Sequence, residues 1–513
     1  MDPRIVSKNG NAKQKTGLAH WMERVLKECE KAEEEFASDP VHDLRVAFRR
    51  CRSMADGLMA IDPDKSWKRM KKAAKPVFQS LGSLRDVQVL KEWLDKLGVP
   101  ADPVSQQLRA HLDNQELQLK KHAQMALQGF DRKQWQRWAD ELPRRAARIP
   151  LGSDVFRHLA LERWSGAREL QRQALRNRSQ TALHQLRIGI KHFRYTVENF
   201  LPEQHDKWSD DLKQLQDWLG DVHDLDVLWA TAFEIKALSD IETRARWRSI
   251  VAEQRKHRID KYRQRMLGPD SLWKIWRSEL PKGAEIRAAG LERLKIWAAF
   301  LDPDFRHSQL VARLAVQIYD ALDADKQTNS EAQDLRSILL ASALLHDVGL
   351  SRTARNHHKV SRRLIEALNP PLGWTQQDLK LVAMIARYHR GALPEPRHKE
   401  FSTLPADQQA TALKLAGIVR LANAFDTERD GRTRQLKVTN QDGTLAVYAQ
   451  AYSPYSASAE TIAASRFLLE RSLGSPIVVK RLVQRTRRPV SKKSTSSTRS
   501  QNQIASARRQ TPA

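Results

Sequence analysis

A short basic pattern occurs twice in the chain and constrains its fold more than any other sequence feature. Both copies read His-x2-Arg-x3-[Arg/Lys]-x2-Arg. The first comprises His42, Arg45, Arg49 and Arg52, and the second comprises His184, Arg187, Lys191 and Arg194. At about 3.6 residues per turn, this spacing places each set on one face of an α-helix. Like charges on one face repel each other, so these two basic stripes favour a polyanionic ligand that neutralises them.

A second signature, LG-x3-D-x2-VL, follows each basic stripe. It spans residues 81–90 after the first stripe and residues 219–228 after the second. Lys75 and Lys213 precede the two signatures at the same distance. Because both signatures repeat in the same order, they indicate an internal duplication. We therefore predict two similar helical bundles that face each other.

Composition narrows the class of protein and of partner. The chain has 513 residues and a formal net charge of +27, which fits two or three domains and a polyanionic partner. Cys29 and Cys51 are its only cysteines, so we expect no disulfide framework and a cytoplasmic location. The first residues lack the apolar core of a signal peptide, and no apolar run is long enough to insert into a membrane.

The predicted fold class is mainly α, because apolar residues recur at helical spacing through most of the chain. The exception is a hairpin over residues 436–452, followed by a helix over 459–473 and a short strand. The predicted organisation is an N-terminal segment (1–11), a duplicated helical domain (12–268, with repeats 12–140 and 150–268), a linker (269–288), a second helical domain with the small sheet (289–484) and a disordered basic tail (485–513).

Arginine suits the binding of a linear polyphosphate, because its guanidinium forks onto phosphate oxygens and stays charged. Each stripe would be roughly 15 Å long at about 1.5 Å per residue. Two facing stripes would hold a flexible polyanion from both sides. Nucleic acid is the main rival ligand, since a phosphate-backbone binder shows the same charge.

The segments VHDLRVAFRRCR and LHQLRIGIKHFRY, each followed by LG-x3-D, resemble the CHAD (conserved histidine α-helical) domain family. The resemblance covers roughly residues 12–268. It implies two antiparallel four-helix bundles around a pseudo-twofold axis, with a basic central cavity that binds inorganic polyphosphate. The implied binding residues are His42, Arg45, Arg49, Arg52, Lys75, Arg85, His184, Arg187, Lys191, Arg194 and Lys213. The second half departs from the first, with His223 at the position of Arg85 and Tyr195 at the position of Ser53.

The second domain contains a spaced set of histidines and acids. The set comprises His307, His346-Asp347, His357-His358, His389, Asn423 and Asp426, on separate predicted helices. Neutral imidazoles and carboxylates from separate helices can converge on a divalent metal. Such a metal would activate water and polarise a phosphoryl oxygen, which is metal-assisted phosphohydrolysis.

This order of residues resembles the HD superfamily of metal-dependent phosphohydrolases. More closely, residues 290–482 are similar to the C-terminal domain of the exopolyphosphatase/guanosine pentaphosphatase family, through ALLHDVGL, ARYHRGALP and LANAFDTERD. The resemblance implies a Mn, Mg, Fe or Zn ion, with Asp347 as the catalytic residue. The implied metal ligands are His307, His346, Asp347, His358 and His389. Asn423 stands where the family has an aspartate, and Asp426 would have to substitute for it.

The sequence leaves three functional hypotheses open. In the first, the chain binds polyphosphate and its HD-type domain hydrolyses a phosphoanhydride. In the second, the chain is a non-catalytic polyphosphate-granule or regulatory protein, because in the exopolyphosphatase family a separate actin-like domain performs catalysis. In the third, the chain binds nucleic acid and acts as a nucleotide phosphohydrolase. A homodimer is compatible with all three hypotheses.

Overall fold

The structure is a computed structural model that describes residues 17–34, 36–97, 102–177, 179–322, 330–441 and 443–482. These ranges contain 18 α-helices and one three-stranded sheet near their C-terminal end. The predicted fold class, mainly α with a small C-terminal sheet, is confirmed. The predicted N-terminal segment and basic tail lie outside the described residues. Across the described ranges, no helix reaches the length and hydropathy that a bilayer-spanning segment requires.

Ten helices form the first region. They are α1 (Leu18–Glu34), α2 (Ser38–Leu58), α3 (Lys65–Leu97), α4 (Pro103–Gln128), α5 (Arg132–Ala146), α6 (Asp154–Asn177), α7 (Gln180–Phe200), α8 (Pro202–Glu234), α9 (Ile241–Met266) and α10 (Leu272–Ser278). Local sequence fixes several of their starts. Asp131 and Ser179 cap α5 and α7 by accepting hydrogen bonds from backbone N–H groups. Pro103 and Pro202 occupy the first helical turn, where a missing N–H costs nothing.

The two halves of this region correspond in length and in packing. Helices α2 and α7, which carry the basic stripes, have 21 residues each, and α3 and α8, which carry the second signature, have 33 each. Sequential helices pack as neighbours within α1–α4 and within α6–α9. Across the halves, α2 packs against α7 and α3 packs against α8. Both stripe helices therefore lie at the junction of the two halves.

One apolar core joins the two halves, and a smaller cluster fills the far end of the long helices. The main core takes residues from each of the helices α1 to α10. The smaller cluster lies between the ends of α3 and α8 and the starts of α4 and α9. Trp67, Trp135 and Trp247 are fully buried. These tryptophans are therefore core residues and not exposed stacking platforms.

The segment predicted as a linker, residues 269–288, contains helix α10 and the start of the next helix. Trp273 and Trp276 of α10 are buried in the main core of the first region, with Trp164 packed beside them. This segment thus adds apolar surface to the first region and is more than a connector. The exact domain boundaries remain predictions.

The second region contains eight helices and the sheet. The helices are α11 (Ala284–Leu301), α12 (Phe305–Leu322), α13 (Ser330–Leu345), α14 (His357–Glu366), α15 (Gln376–Arg387), α16 (Lys399–Ser402), α17 (Ala406–Ala424) and α18 (Ala457–Leu473). Strands β1 (Leu436–Gln441) and β2 (Thr444–Ala449) form the predicted antiparallel hairpin, with Gly443 at φ 74° in its turn. Strand β3 (Ile477–Arg481) pairs with β2 in parallel. The helices enclose a second, separate core.

Polar contacts join the two regions through α11 and through the loop before α15. The Arg293 guanidinium lies 2.7 Å from Glu162 Oε1 on α6 and 2.9 Å from the backbone oxygen of Ala60. His158 Nε2 lies 2.9 Å from the backbone oxygen of Leu372. Because α11 also packs against the turn that follows Asp347, it connects the first region to the histidine-rich part of the second.

Candidate functional site

The two basic stripes face a common space. The ring of Tyr195 on α7 lies between Arg49 of the first stripe, 5.9 Å from its Cζ, and Lys191 of the second, 5.8 Å from its Nζ. Beside this point, Asn199 donates to Ser53 Oγ at 2.9 Å, which fixes α7 against α2. The stripes therefore converge at the helix crossing and do not lie on opposite outer faces. We call this shared space the basic cavity.

Several polar atoms of the basic cavity lack protein partners. In the described part of the chain, Nε of Arg45, Arg49 and Arg187 and Nδ1 of His184 are buried without hydrogen bonds. No carboxylate there forms an ion pair with these three arginines or with Lys191. Buried donors that lack acceptors cost free energy, so native proteins rarely leave them unpaired. An anionic ligand would satisfy them.

The like charges of the cavity also act on one another. Burial, together with the positive charges of Arg187, Arg45 and Arg49, lowers the pKa of Lys191 to about 8. Burial likewise lowers the pKa of Arg45, with Arg49 adding to the shift and Asp86 opposing it. Cations from both halves are therefore close enough to repel each other in a partly desolvated space.

Two acids lie close enough to the basic cavity to interact electrostatically with its cations. Asp86 and Asp224 occupy the same position in the two LG-x3-D signatures. Burial raises the pKa of Asp224 to about 6, Arg187 opposes this shift, and Asp86 and Asp221 add to it. Asp224 thus loses its charge as the pH falls through about 6.

The second candidate site is a cluster of four imidazoles around Asp347. His307 lies on α12, His346 and Asp347 follow α13, His357 begins α14 and His389 follows α15. All five residues are buried. The Nε2 atoms of His346, His357 and His389 lie 3.6, 3.0 and 3.6 Å from Asp347 Oδ1. Three chain segments, after α13, at the start of α14 and after α15, therefore meet at one carboxylate oxygen.

Backbone carbonyls fix the orientation of three of these rings. The Nδ1 atoms of His346, His357 and His389 lie 2.7, 3.0 and 2.7 Å from the carbonyl oxygens of the residues three positions earlier. A carbonyl only accepts, so each Nδ1 carries a proton, and in the neutral form of the ring Nε2 presents a lone pair. Burial lowers the pKa of His346 and of His389, which keeps both rings neutral.

The lone pairs therefore converge on a carboxylate oxygen with no proton between them. His346 Nε2, His357 Nε2 and Asp347 Oδ1 are buried and lack hydrogen-bond partners among the described residues. Converging acceptors repel each other unless a cation lies between them, and neutral imidazole with carboxylate is a common ligand set for divalent transition metals. The residues at this metal centre thus fit a divalent metal ion.

His307 and Asp347 make further contacts at the edge of the metal centre. His307 Nδ1 lies 2.7 Å from Asp426 Oδ2, and His307 Nε2 lies 2.9 Å from Asn423 Oδ1. Arg429 donates to Asp347 Oδ2 at 2.5 Å and to Asp304 Oδ2 at 2.9 Å. Both ring nitrogens of His307 and one oxygen of Asp347 are thus already engaged.

Two protein families match different parts of the chain, and each matched part contains one of the two candidate sites. The family profile of the CHAD domain matches residues 18–232, and that of Ppx/GppA phosphatase, domain III, matches residues 286–455. The chain carries a CHAD domain followed by a Ppx/GppA domain III. No curated protein matches the chain in a sequence search. Both families support a polyphosphate-related function, and the basic cavity lies in the CHAD domain while the metal centre lies in domain III.

The remaining cations predicted to bind polyphosphate in the CHAD domain have different surroundings. Arg52 donates to the backbone oxygen of Lys71 at 2.6 Å, and Arg85 pairs with Glu92 at 2.7 Å. His184 lies beside His223, with 4.7 Å between ring centroids. Others have exposed or half-buried side chains on the same helices: His42, Lys75, Arg194 and Lys213. The stripe residues that converge are thus Arg45, Arg49, Arg187 and Lys191.

The acids nearest in sequence to the stripes are engaged elsewhere in the CHAD domain. Asp43 pairs with Arg24 at 2.8 Å, and Glu198 pairs with Arg50 at 2.6 Å. Neither arginine belongs to a stripe. These carboxylates therefore leave the converging cations available for a ligand.

In domain III, His357 rather than His358 faces Asp347. His358 is buried beside the metal centre, with its ring centroid 5.9 Å from that of His357 and 6.3 Å from that of His389. Burial lowers the pKa of His358 to about 4, with Arg387 adding to the shift. Two further residues, His357 and Arg429, contact Asp347 although the sequence pattern did not assign them a role. The adjacent histidine pair was the only sequence indication of His357.

Proposed function

We propose that this protein binds inorganic polyphosphate in the basic cavity of its CHAD domain and that domain III hydrolyses a phosphoanhydride bond at a metal centre. The unpartnered cations of two facing stripes are the observation that supports this proposal most. A chain of phosphates supplies acceptor oxygens at short, regular intervals, which suits donors from both stripes. Nucleic acid fits less well, because single-strand binders combine cations with exposed aromatic platforms, and Tyr195 is buried here.

The metal centre would hold its ion through His346, His357, His389 and Asp347 Oδ1. A bound ion there would activate water and polarise a phosphoryl oxygen. Three nitrogens and one oxygen favour Zn, Fe or Mn over Mg, which prefers oxygen ligands. The protein's own contribution is orientation, because the backbone carbonyl contacts fix each imidazole ring with its Nε2 toward the ion. Retention of polyphosphate would place the protein in the cytoplasm or on polyphosphate granules.

A competition experiment tests the identity of the ligand. A fluorescent polyphosphate bound to the full chain is challenged at physiological salt with unlabelled polyphosphate or with a single-stranded DNA, at equal phosphate concentration. We expect polyphosphate to displace the probe and the DNA to fail, because the cavity binds phosphates from two sides and offers no exposed aromatic face to bases. Displacement by DNA as effective as that by polyphosphate would assign the cavity to nucleic acid.

The affinity for polyphosphate should depend on pH through Lys191. Its pKa of about 8 means that the ammonium is charged below this pH and increasingly neutral above it. A polyanion binds the charged form, so affinity is highest at lower pH and falls as the pH rises through about 8. Because about one proton is coupled to binding, the loss is at most about ten-fold per pH unit. Titration calorimetry at a series of pH values measures this loss of affinity. A long polyphosphate is used, because its few terminal phosphates contribute little to the titration.

The variant Lys191→Met is the control for this pH dependence. It keeps the length of the side chain and removes the titrating ammonium, so the decrease above pH 8 should disappear while binding stays weaker throughout. The variant should also be more stable by about 0.5–2 kcal/mol, since a buried cation that is repelled by its neighbours has been removed. An unchanged pH profile in Lys191→Met would show that another group controls it.

A further inference from the structure

Asp347 belongs to two groups of potential metal ligands. His307, His346 and Asp347 form one group, and Asp347, His357 and His389 form the other, with ligand atoms in each group within 4.8 Å of one another. A carboxylate shared between two such groups can hold one ion on a single oxygen or two ions on both oxygens. The number of ions therefore depends on what surrounds each oxygen of Asp347.

The group that contains His307 is closed by protein contacts. Nδ1 of His307 faces Asp426 at 2.7 Å, and Nε2 faces the Asn423 side chain at 2.9 Å. An imidazole binds a metal through an unengaged nitrogen. An amide at residue 423 also brings no negative charge to offset a second divalent ion.

Arg429 supplies a positive charge on the same side. Its guanidinium bridges Asp347 Oδ2 at 2.5 Å and Asp304 Oδ2 at 2.9 Å, and the Asp347 side chain is almost fully buried. A guanidinium stays protonated, so this charge is permanent. The backbone of Arg429 has φ 56°, a left-handed conformation that arginine rarely adopts and that functional sites often contain. This conformation directs the side chain back toward α12 and Asp347.

The other oxygen of Asp347 has the opposite surroundings. Oδ1 faces the three unprotonated Nε2 atoms of His346, His357 and His389 and has no hydrogen bond among the described residues. The two oxygens of one carboxylate are thus differentiated. One is neutralised by a guanidinium, and the other is directed at lone pairs that require a cation.

We propose that Arg429 is a built-in cation that takes the place of a second metal ion, so that the centre holds a single transition-metal ion at Asp347 Oδ1. This inference rests on the metal centre of the proposed function. Asn423 and Arg429 act together. Asn423 leaves the position of a second ion, beside Asp347 Oδ2, without a negatively charged ligand, and Arg429 occupies that position with a fixed positive charge. Restoring the carboxylate and removing the guanidinium should therefore open the second position.

The experiment counts zinc ions on the full chain. Wild type, Arg429→Ala, Asn423→Asp and the double variant Asn423→Asp/Arg429→Ala are loaded with Zn²⁺, desalted and assayed for bound zinc, with calorimetry for affinity. A His346→Ala/His389→Ala variant measures zinc held elsewhere, which is subtracted. We expect one ion in wild type and two in the double variant. Arg432→Ala, an exposed arginine of the same loop that pairs with Asp430, is the matched control and should hold one ion.

Each other outcome contradicts a specific claim. One ion in the double variant, or two in wild type, overturns the role of Arg429. If Arg429 only positions Asp347, Arg429→Ala should bind the first ion about 10–100-fold more weakly, and the double variant should gain no second ion. No zinc in wild type would contradict the metal centre itself, and this inference with it. Should the alanine variant fail to fold, Asn423→Asp/Arg429→Gln, which keeps a hydrogen-bond donor, carries the same expectation.

Discussion

Replacing Arg45 and Arg187 together with alanine is expected to weaken polyphosphate binding by at least about 100-fold. Each guanidinium has a buried Nε without a protein partner. Hydrogen bonds to charged groups contribute about 1.5–3 kcal/mol each, and about 1.4 kcal/mol corresponds to a factor of ten, so two lost arginines reach this effect. Binding of a fluorescent polyphosphate to the full chain measures it, and the salt dependence of the affinity should become shallower as fewer phosphates are neutralised.

The same double variant should fold as well as the wild type. Arg45 and Arg187 form no ion pairs in the described part of the chain, and their like charges repel neighbouring cations. The midpoint temperature of thermal unfolding should therefore be unchanged or slightly higher. Arg176→Ala/Arg248→Ala is the matched control, because it removes two exposed arginines from the helices of the first region. If the control loses as much affinity, net charge rather than the cavity explains binding. If Arg45→Ala/Arg187→Ala unfolds, these residues are structural.

The convergence of the basic stripes was predictable because it depends on local periodicity and on duplication. Helical spacing placed each stripe on one face, and the repeated signatures predicted two halves that pack together. The sequence could not show which stripe residues meet. Arg49 and Lys191 meet at Tyr195 because α2 and α7 cross there, whereas Arg52 turns away to a backbone carbonyl of α3. Those choices depend on the crossing geometry of the helices, which is a tertiary property.

For the metal centre, too, the sequence predicted most of the residues but not which of two neighbouring histidines faces Asp347. The sequence brought His307, His346, Asp347 and His389 into one predicted site, but it assigned His358 where the structure places His357. Neighbouring residues on a helix differ by about 100° in direction, so the phase of α14 decides between them. Asn356, at φ 58°, sets this phase immediately before the helix. Arg429 reaches Asp347 through a left-handed backbone conformation after α17, and no periodic pattern encodes such a contact.

The two sites have complementary electrostatic character, which bears on how they would act together. The basic cavity collects cations that lack acceptors, and the metal centre collects lone pairs that lack a cation. A polyanion and a divalent ion would therefore each satisfy one site. Helix α11 contacts both the CHAD domain, through Glu162 and Ala60, and the turn after Asp347. The separation of these roles means that variants in one site can be tested for effects on one function at a time.

Replacing Asp347 with asparagine is expected to abolish metal-dependent phosphate release while leaving polyphosphate retention intact. Asparagine has nearly the same shape but loses the charge that faces three imidazole nitrogens and Arg429. Because a bound metal contributes several kcal/mol to transition-state stabilisation, release should fall at least about 1,000-fold. The assay incubates the chain with a defined polyphosphate and Zn²⁺, Mn²⁺, Fe²⁺ or Mg²⁺, and measures released phosphate and retained polymer in the same samples.

The control for this variant is Asp407→Asn, which removes the same charge from an exposed position of domain III and should release phosphate at the wild-type rate. Removing the metal from the wild type with a chelator should reproduce the loss seen in Asp347→Asn, and adding metal back should restore release only in the wild type. Release that persists in Asp347→Asn would place the chemistry outside this centre. A wild-type chain that retains polyphosphate but releases no phosphate with any of the four metals would be a binding protein, with Asn423 and Arg429 as the residues that explain why its metal centre does not hydrolyse the polymer.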